Sequence, residues 1–116
     1  MAVPRVSGDD LEMGEDYVWR LDGEPFSGIA EDRFPDGSLL GETEYMNGIQ
    51  DGLSRTFWPS GQLRIEYWLN YGSRVRARSW HPNGQLAEDT FIGGSFMRKH
   101  VRWAEDGTVL EATHGE

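Results

Sequence analysis

Four short stretches of this chain carry the same turn: FPDGS at Phe34 to Ser38, WPSGQ at Trp58 to Gln62, HPNGQ at His81 to Gln85 and AEDGT at Ala104 to Thr108. Their glycines, Gly37, Gly61, Gly84 and Gly107, stand 24, 23 and 23 residues apart. A fixed period of this length marks a repeat array, in which each unit is one supersecondary element that cannot bury a face by itself. The register runs past the glycine. Pro35, Pro59 and Pro82 precede it by two residues, with Glu105 in the last copy, and Leu39, Leu63, Leu86 and Val109 follow it by two. Glu42, Glu66 and Asp89 follow by five, where the last copy has Ala112. A second turn signal falls about midway in each unit, at Asp22-Gly23, Asn47-Gly48, Tyr71-Gly72 and Gly93-Gly94.

The chemistry of the first turn predicts a hairpin. Proline presets φ near −65°, the small polar residue after it suits the next turn position, and glycine accepts the left-handed conformation that closes the turn with a bulge. The segments between turns are rich in Tyr, Trp, Phe, Val, Ile and Thr, as strands are. Four strand pairs are expected: residues 29–34 with 38–45, 53–58 with 62–69, 75–80 with 85–92, and 99–103 with 108–113. No segment carries apolar residues at helical spacing over three turns, so helix should be scarce, with at most one short turn between Asp9 and Asp16. An isolated hairpin is marginal in water, whereas stacked hairpins bury one another's backbone. The fold class expected is all-β: a single elongated, twisted antiparallel meander of about eight strands, spanning 17–116. Residues 1–16 read as an acidic, loosely ordered leader.

Composition narrows the class further. At 116 residues the chain is one domain by size. Its five Trp, four Tyr and five Phe, with few Leu and Ile, predict a thin core. Cysteine is absent, which excludes disulfides, thiolate nucleophiles and Cys-based zinc sites. The N-terminal residues lack an apolar central run, and no stretch approaches the ~20 apolar residues of a membrane span, so a soluble, cytoplasmic protein without membrane insertion is expected. The net charge of −9 is uneven: residues 1–54 hold thirteen acids against three arginines, and residues 55–116 hold seven acids against eight basic residues. An acidic half disfavours nucleic acid, whose binding depends on Lys and Arg at phosphates. It favours a basic protein partner, and the same charge also serves solubility.

The repeat resembles the MORN repeat in its variant form, in which an aromatic-Pro-Asn/Asp-Gly-x-Leu turn is followed by a glutamate, an aromatic and an Asn-Gly. The match covers residues 17–113, best at PNGQL (Pro82 to Leu86), PSGQL (Pro59 to Leu63) and YMNG (Tyr45 to Gly48). It departs at the last copy, which lacks the proline, and at NYGSRV, Asn70 to Val75. The resemblance implies stacked hairpins and is similar to arrays in bacterial antitoxins and immunity proteins; a fold-level likeness assigns no activity.

Strand alternation sorts the faces. One carries Leu39, Leu63, Ile65, Tyr67, Leu86 and Ile92 and reads as packed. The opposite face carries Glu42, Glu44, Glu66, Trp68, Asp89 and Phe91, a row of carboxylates alternating with aromatics. Equivalent acids in successive hairpins should lie roughly 10 Å apart, too wide for a shared proton and near the outer limit of an inverting glycosidase pair. The row reads either as a solvated face or as a docking surface where acids meet a partner's Lys and Arg, with Trp68 and Phe91 as anchors. On the docking reading, charge reversal at Glu42, Glu44 and Glu66 should slow association and leave folding intact. SRVRARSW sets a second candidate, Arg74, Arg76 and Arg78 on one side of a strand, with Arg98, Lys99 and Arg102 one unit later. Those arginines could hold phosphate or acidic lipid, or pair with the protein's own glutamates.

Catalytic patterns are missing. His81, His100 and His114 are scattered, His81 standing where its sister repeat has Trp58. No phosphate loop, nucleophile elbow or metal-ligand spacing is present, so no cofactor or metal is expected. The expectation is a non-enzymatic binding protein, an immunity protein or antitoxin that covers the active site of a basic or enzymatic toxin, present as a monomer or an edge-paired dimer. The alternative is a scaffold module that binds other proteins or acidic lipids.

Overall fold

The computed structural model describes residues 3–93 and 97–115. Twelve strands are found among them, in two sheets. The chain runs β1 (Arg5–Ser7), a short 3-10 turn (Gly8–Asp10), β2 (Glu12–Met13), β3 (Trp19–Leu21), β4 (Glu24–Pro25), β5 (Gly28–Arg33), β6 (Leu39–Met46) and β7 (Ile49–Phe57). It continues through β8 (Leu63–Asn70), β9 (Ser73–Trp80), β10 (Leu86–Gly93), β11 (Met97–Trp103) and β12 (Val109–Gly115). Strands β5 to β12 pair in sequence order as one antiparallel meander, the expected architecture. Gly94 of the last midway turn lies outside the described residues, as do the side chains of Arg98 and His114.

Each of the four repeat turns closes in the same way. The N–H of Phe34 donates to the Ser38 carbonyl and that of Gly37 to the Phe34 carbonyl, and the same pair recurs at Trp58/Gln62, His81/Gln85 and Ala104/Thr108. The small polar residue before each glycine locks the turn: Asp36, Ser60, Asn83 and Asp106 each accept the backbone N–H two residues on. Gly37, Gly61, Gly84 and Gly107 sit at φ near +90°, where a side chain would be strained, and the pairing slips by one residue beside each of these turns. The midway turns at Asp22-Gly23, Asn47-Gly48 and Tyr71-Gly72 are two-residue hairpin loops with both residues left-handed, as at Asn47 (φ 51) and Gly48 (φ 82).

Successive hairpins are also tied through their tips. Gly48 N–H donates to the Phe26 carbonyl and Gly72 N–H to that of Gln50. Asn47 N–H donates to the Ser27 hydroxyl, and Tyr71 N–H to the Asp51 carboxylate. At the other end, the Trp58 indole N–H donates to the Trp80 carbonyl (3.2 Å), and His81 Nε2 takes the same place against the Trp103 carbonyl (2.8 Å). His81 therefore substitutes for tryptophan as an inter-repeat tie. The series stops at Ala104, whose methyl group cannot bond.

Two features depart from a plain meander. Residues 5–13, within the segment expected to be loosely ordered, form β1, the 3-10 turn and β2; β1 joins β5 in parallel, with Arg5 opposite Ile29 and Ser7 opposite Glu31. Strands β2, β3 and β4 make a small second sheet. It lies over the face that carries Ala30, where Leu11, Phe26 and Ala30 form a core with Val6, Trp19, Leu21 and Tyr45 around it. Tyr45 meets Phe26 and Trp19 edge-on at 5.8 and 6.5 Å. Beyond this cap the face expected to be packed, with Ile65 and Tyr67, is only half-buried, and Ile92 is exposed. Burial is concentrated at one end because one layer of hairpins has no second layer to cover it.

Candidate docking face

Direct cross-strand pairing runs one line of residues across the sheet: Ser7, Glu31, Glu42, Arg55, Glu66, Arg78, Asp89, Val101 and Ala112. Residues directly opposite share a face. A neighbouring line on the same face holds Trp68, Arg76, Phe91 and Lys99. The six residues Glu42, Glu44, Glu66, Trp68, Asp89 and Phe91 thus stand together, as alternation predicts.

The row is not acidic, however. Arg55 and Arg78 come from the intervening strands β7 and β9 and stand between the acids. Arg55 Nε donates to Glu66 at 2.6 Å and its Nη1 lies 3.7 Å from Glu42. Arg5 reaches Glu42 at 3.0 Å from β1. Asp89 takes Arg76 at 3.1 Å and Arg78 at 3.3 Å. Glu44 accepts the backbone N–H of Leu53 at 2.5 Å. Glu42, Glu66 and Asp89 are thereby paired with the chain's own arginines, and Glu44 holds a backbone N–H through one of its two oxygens. The Glu66 side chain is only 10% exposed, a burial tolerable for a carboxylate because a guanidinium is bonded to it. Burial tends to raise the Asp89 carboxyl, but the hydrogen bond and charge of Arg76, with the charge of Arg78, hold it below the usual carboxylate range.

Trp68 is likewise engaged. The Arg76 and Arg78 guanidinium carbons lie 5.2 and 5.8 Å from its ring centroid, within cation–π range. Phe91 is the member of the set left open, at 44% exposure.

The arginine strand does not form one basic side. A register shift opposite Val75, between Trp68 and Leu69, breaks the alternation. Arg74 pairs with Leu69 and its guanidinium sits 4.0 Å from the Tyr67 ring, whereas Arg76 and Arg78 sit at Trp68 on the opposite face. The expectation of Arg74, Arg76 and Arg78 together is corrected by this bulge, which re-aims one side chain. Arg102 also lies on the face away from Lys99, between its direct partners Glu88 (3.7 Å) and Glu111 (3.4 Å), with His100 beside both acids.

The exposed large apolar side chains of the last two hairpins are Phe91 and Ile92, toward the end of β10, and Val109 and Leu110, at the start of the edge strand β12, where Val109 pairs with Trp103 and Phe91 with Lys99. Alternation gave no hint of the exposure of Val109, because its counterparts Leu39, Leu63 and Leu86 are half-buried in the earlier repeats. The departure of the last copy from the repeat pattern was the available signal.

No group of His, Cys, Asp or Glu among the described residues is arranged to hold a metal ion, and no helix among them is long and apolar enough to cross a membrane. The chain carries a MORN repeat variant, matched at residues 50–67, which span β7, its turn and the first part of β8. Comparison with curated proteins and with solved structures returns no match.

Proposed function

We propose that this chain, a MORN-variant hairpin array, is a non-enzymatic module that binds another protein through the C-terminal end of its sheet. The observation that carries the reading is the set of large apolar side chains left exposed on the last two hairpins, Leu110 at 59% and Phe91 at 44%, with Val109 and Ile92. Large apolar side chains left exposed among charged ones are a recurrent feature of protein interfaces. Anionic lipid is the poorer fit, since Arg55, Arg76 and Arg78 are held by the chain's own acids and the net charge is −9. An immunity protein or antitoxin acting in the cytoplasm is one specific form of this reading, distinguished by a partner enzyme that loses activity in the complex.

The test compares wild type with a Phe91→Asp/Leu110→Asp variant as affinity bait, alongside flotation with phosphatidylserine vesicles. A stoichiometric protein held by wild type and released by the variant, with vesicles ignored, is the expected result. Vesicle binding at physiological salt without a stoichiometric protein would overturn it.

A further inference from the structure

A cleft of about 480 Å³ opens between the start of β1 and the β6–β7 hairpin, far across the sheet from the edge strand β12. Val3, Ile29, Tyr45 and Met46 give it an apolar lining, and Glu44 and Asp51 bring two carboxylates to it. Both carboxylates are fixed from below. Glu44 lies over Gly52, where any Cβ would collide with it, and one of its oxygens accepts Leu53 N–H. One Asp51 oxygen accepts Tyr71 N–H at 3.0 Å. Glu44 Oε1 and Asp51 Oδ2 have no hydrogen-bond partner among the described residues, and no basic side chain among them lines the cleft. Arg55, whose charge also feels Glu44, is held by Glu66 and Glu42.

An apolar cleft with two anchored carboxylates in its lining, each with one oxygen unbonded, matches a side chain with an aliphatic stem and a cationic head. The surroundings indicate where that side chain comes from. Met46 (50% exposed) and Tyr71 (75% exposed) stand at the two neighbouring hairpin tips, and Tyr71 holds a left-handed φ of 47° in a turn whose sister residues are Asp22 and Asn47. A bulky residue in that conformation is costly and merits a functional account. A free amine would leave both side chains in water, whereas a protein surface would cover them, tyrosine being enriched at binding hot spots. We infer that the cleft receives a lysine or arginine side chain of a partner protein, with Met46 and Tyr71 as flanking contacts.

This inference rests on the reading of the chain as a protein-binding module, but its test does not require the partner. Nα-acetyl-lysine amide and Nα-acetyl-arginine amide are titrated into the labelled full chain and followed by amide NMR shifts, with Nα-acetyl-norleucine amide as the uncharged control. Glu44→Gln and Asp51→Asn keep the acceptors for Leu53 and Tyr71 N–H while removing charge, so the double variant should remain folded. The expected result is saturable shifts confined to residues 28–29, 44–46 and 51–52 for the two cations, with affinity about tenfold weaker in the double variant. Equal response to norleucine, scattered shifts, or unchanged affinity in the double variant would each overturn the inference. Failure here leaves binding at Phe91 and Leu110 standing, because that is read by the bait experiment.

Discussion

Arg55 and Glu66 face each other directly across β7 and β8, with the guanidinium Nε 2.6 Å from the carboxylate. The pair turns a row of acids into an alternating ladder of acids and arginines. Its charges are consumed in holding hairpins together, so the face is structural before it is a docking surface.

Charge reversal on this ladder should therefore damage folding, contrary to the expectation from the acidic pattern alone. Glu66→Lys sets two cations against each other in a poorly hydrated position, and a loss of about 2–4 kcal/mol is expected. Urea unfolding checks it; Glu105→Lys, in an exposed turn, serves as the control and should change stability by less than about 0.5 kcal/mol.

Asp89 predicts a pH dependence. Its folded-state pKa lies below the ordinary unfolded value of about 3.9. The stabilisation is thus fully present above that unfolded value and is lost as pH falls through the lowered one. Asp89→Asn should be less stable than wild type at pH 7, and the gap should narrow by pH 2.5. Asp16, held at about 2 by its hydrogen bond to Arg20, is present in both proteins and cancels from the comparison.

The turn glycines are unequal. Gly48 and Gly61 both have positive φ, but a Cβ at Gly61 meets nothing within 4 Å, whereas at Gly48 it would strike Val18 and the Trp19 carbonyl oxygen. Gly61→Ala should cost only the backbone strain of about 1–2 kcal/mol. Gly48→Ala should cost about 3 kcal/mol or more and loosen the small sheet, whose Trp19 N–H donates to the Gly48 carbonyl at 2.9 Å. Hydrogen exchange at residues 19–26 reports the loosening.

Tyr71 offers a test in the opposite direction. Tyr71→Asn gives the turn the residue found at position 47, which accepts the left-handed conformation more readily. A gain of about 0.5–1 kcal/mol is expected, or a rise in Tm of about 3 °C. The same variant should weaken partner binding if Tyr71 is a contact.

Much of this architecture was legible because its signals are local. A proline, a small polar residue and a glycine at fixed offsets determine the turn, and the turns determine which segments pair. The face of Glu42, Glu66 and Asp89 followed from period-two alternation. What escaped depends on residues far apart in sequence or on broken alternation. The parallel union of β1 with β5 joins Arg5 to Ile29, and strands of two or three residues, such as β2 and β4, are too short to show a period. Arg55 lies on the strand before its turn, so its place between Glu42 and Glu66 emerges only from the cross-strand register. Arg74 was placed on the wrong face because one bulge residue inverts everything beyond it.

The central claim is that Glu42, Glu66 and Asp89 of this face are spent on the chain's own arginines. A double-mutant cycle on Arg55→Ala and Glu66→Ala, measured by urea unfolding of the two single variants and the double, tests it most directly. The account predicts a coupling of about 1–3 kcal/mol, with the double variant more stable than the sum of single losses implies. Additivity within about 0.3 kcal/mol would contradict it and return Glu66 to the set of residues available to a partner.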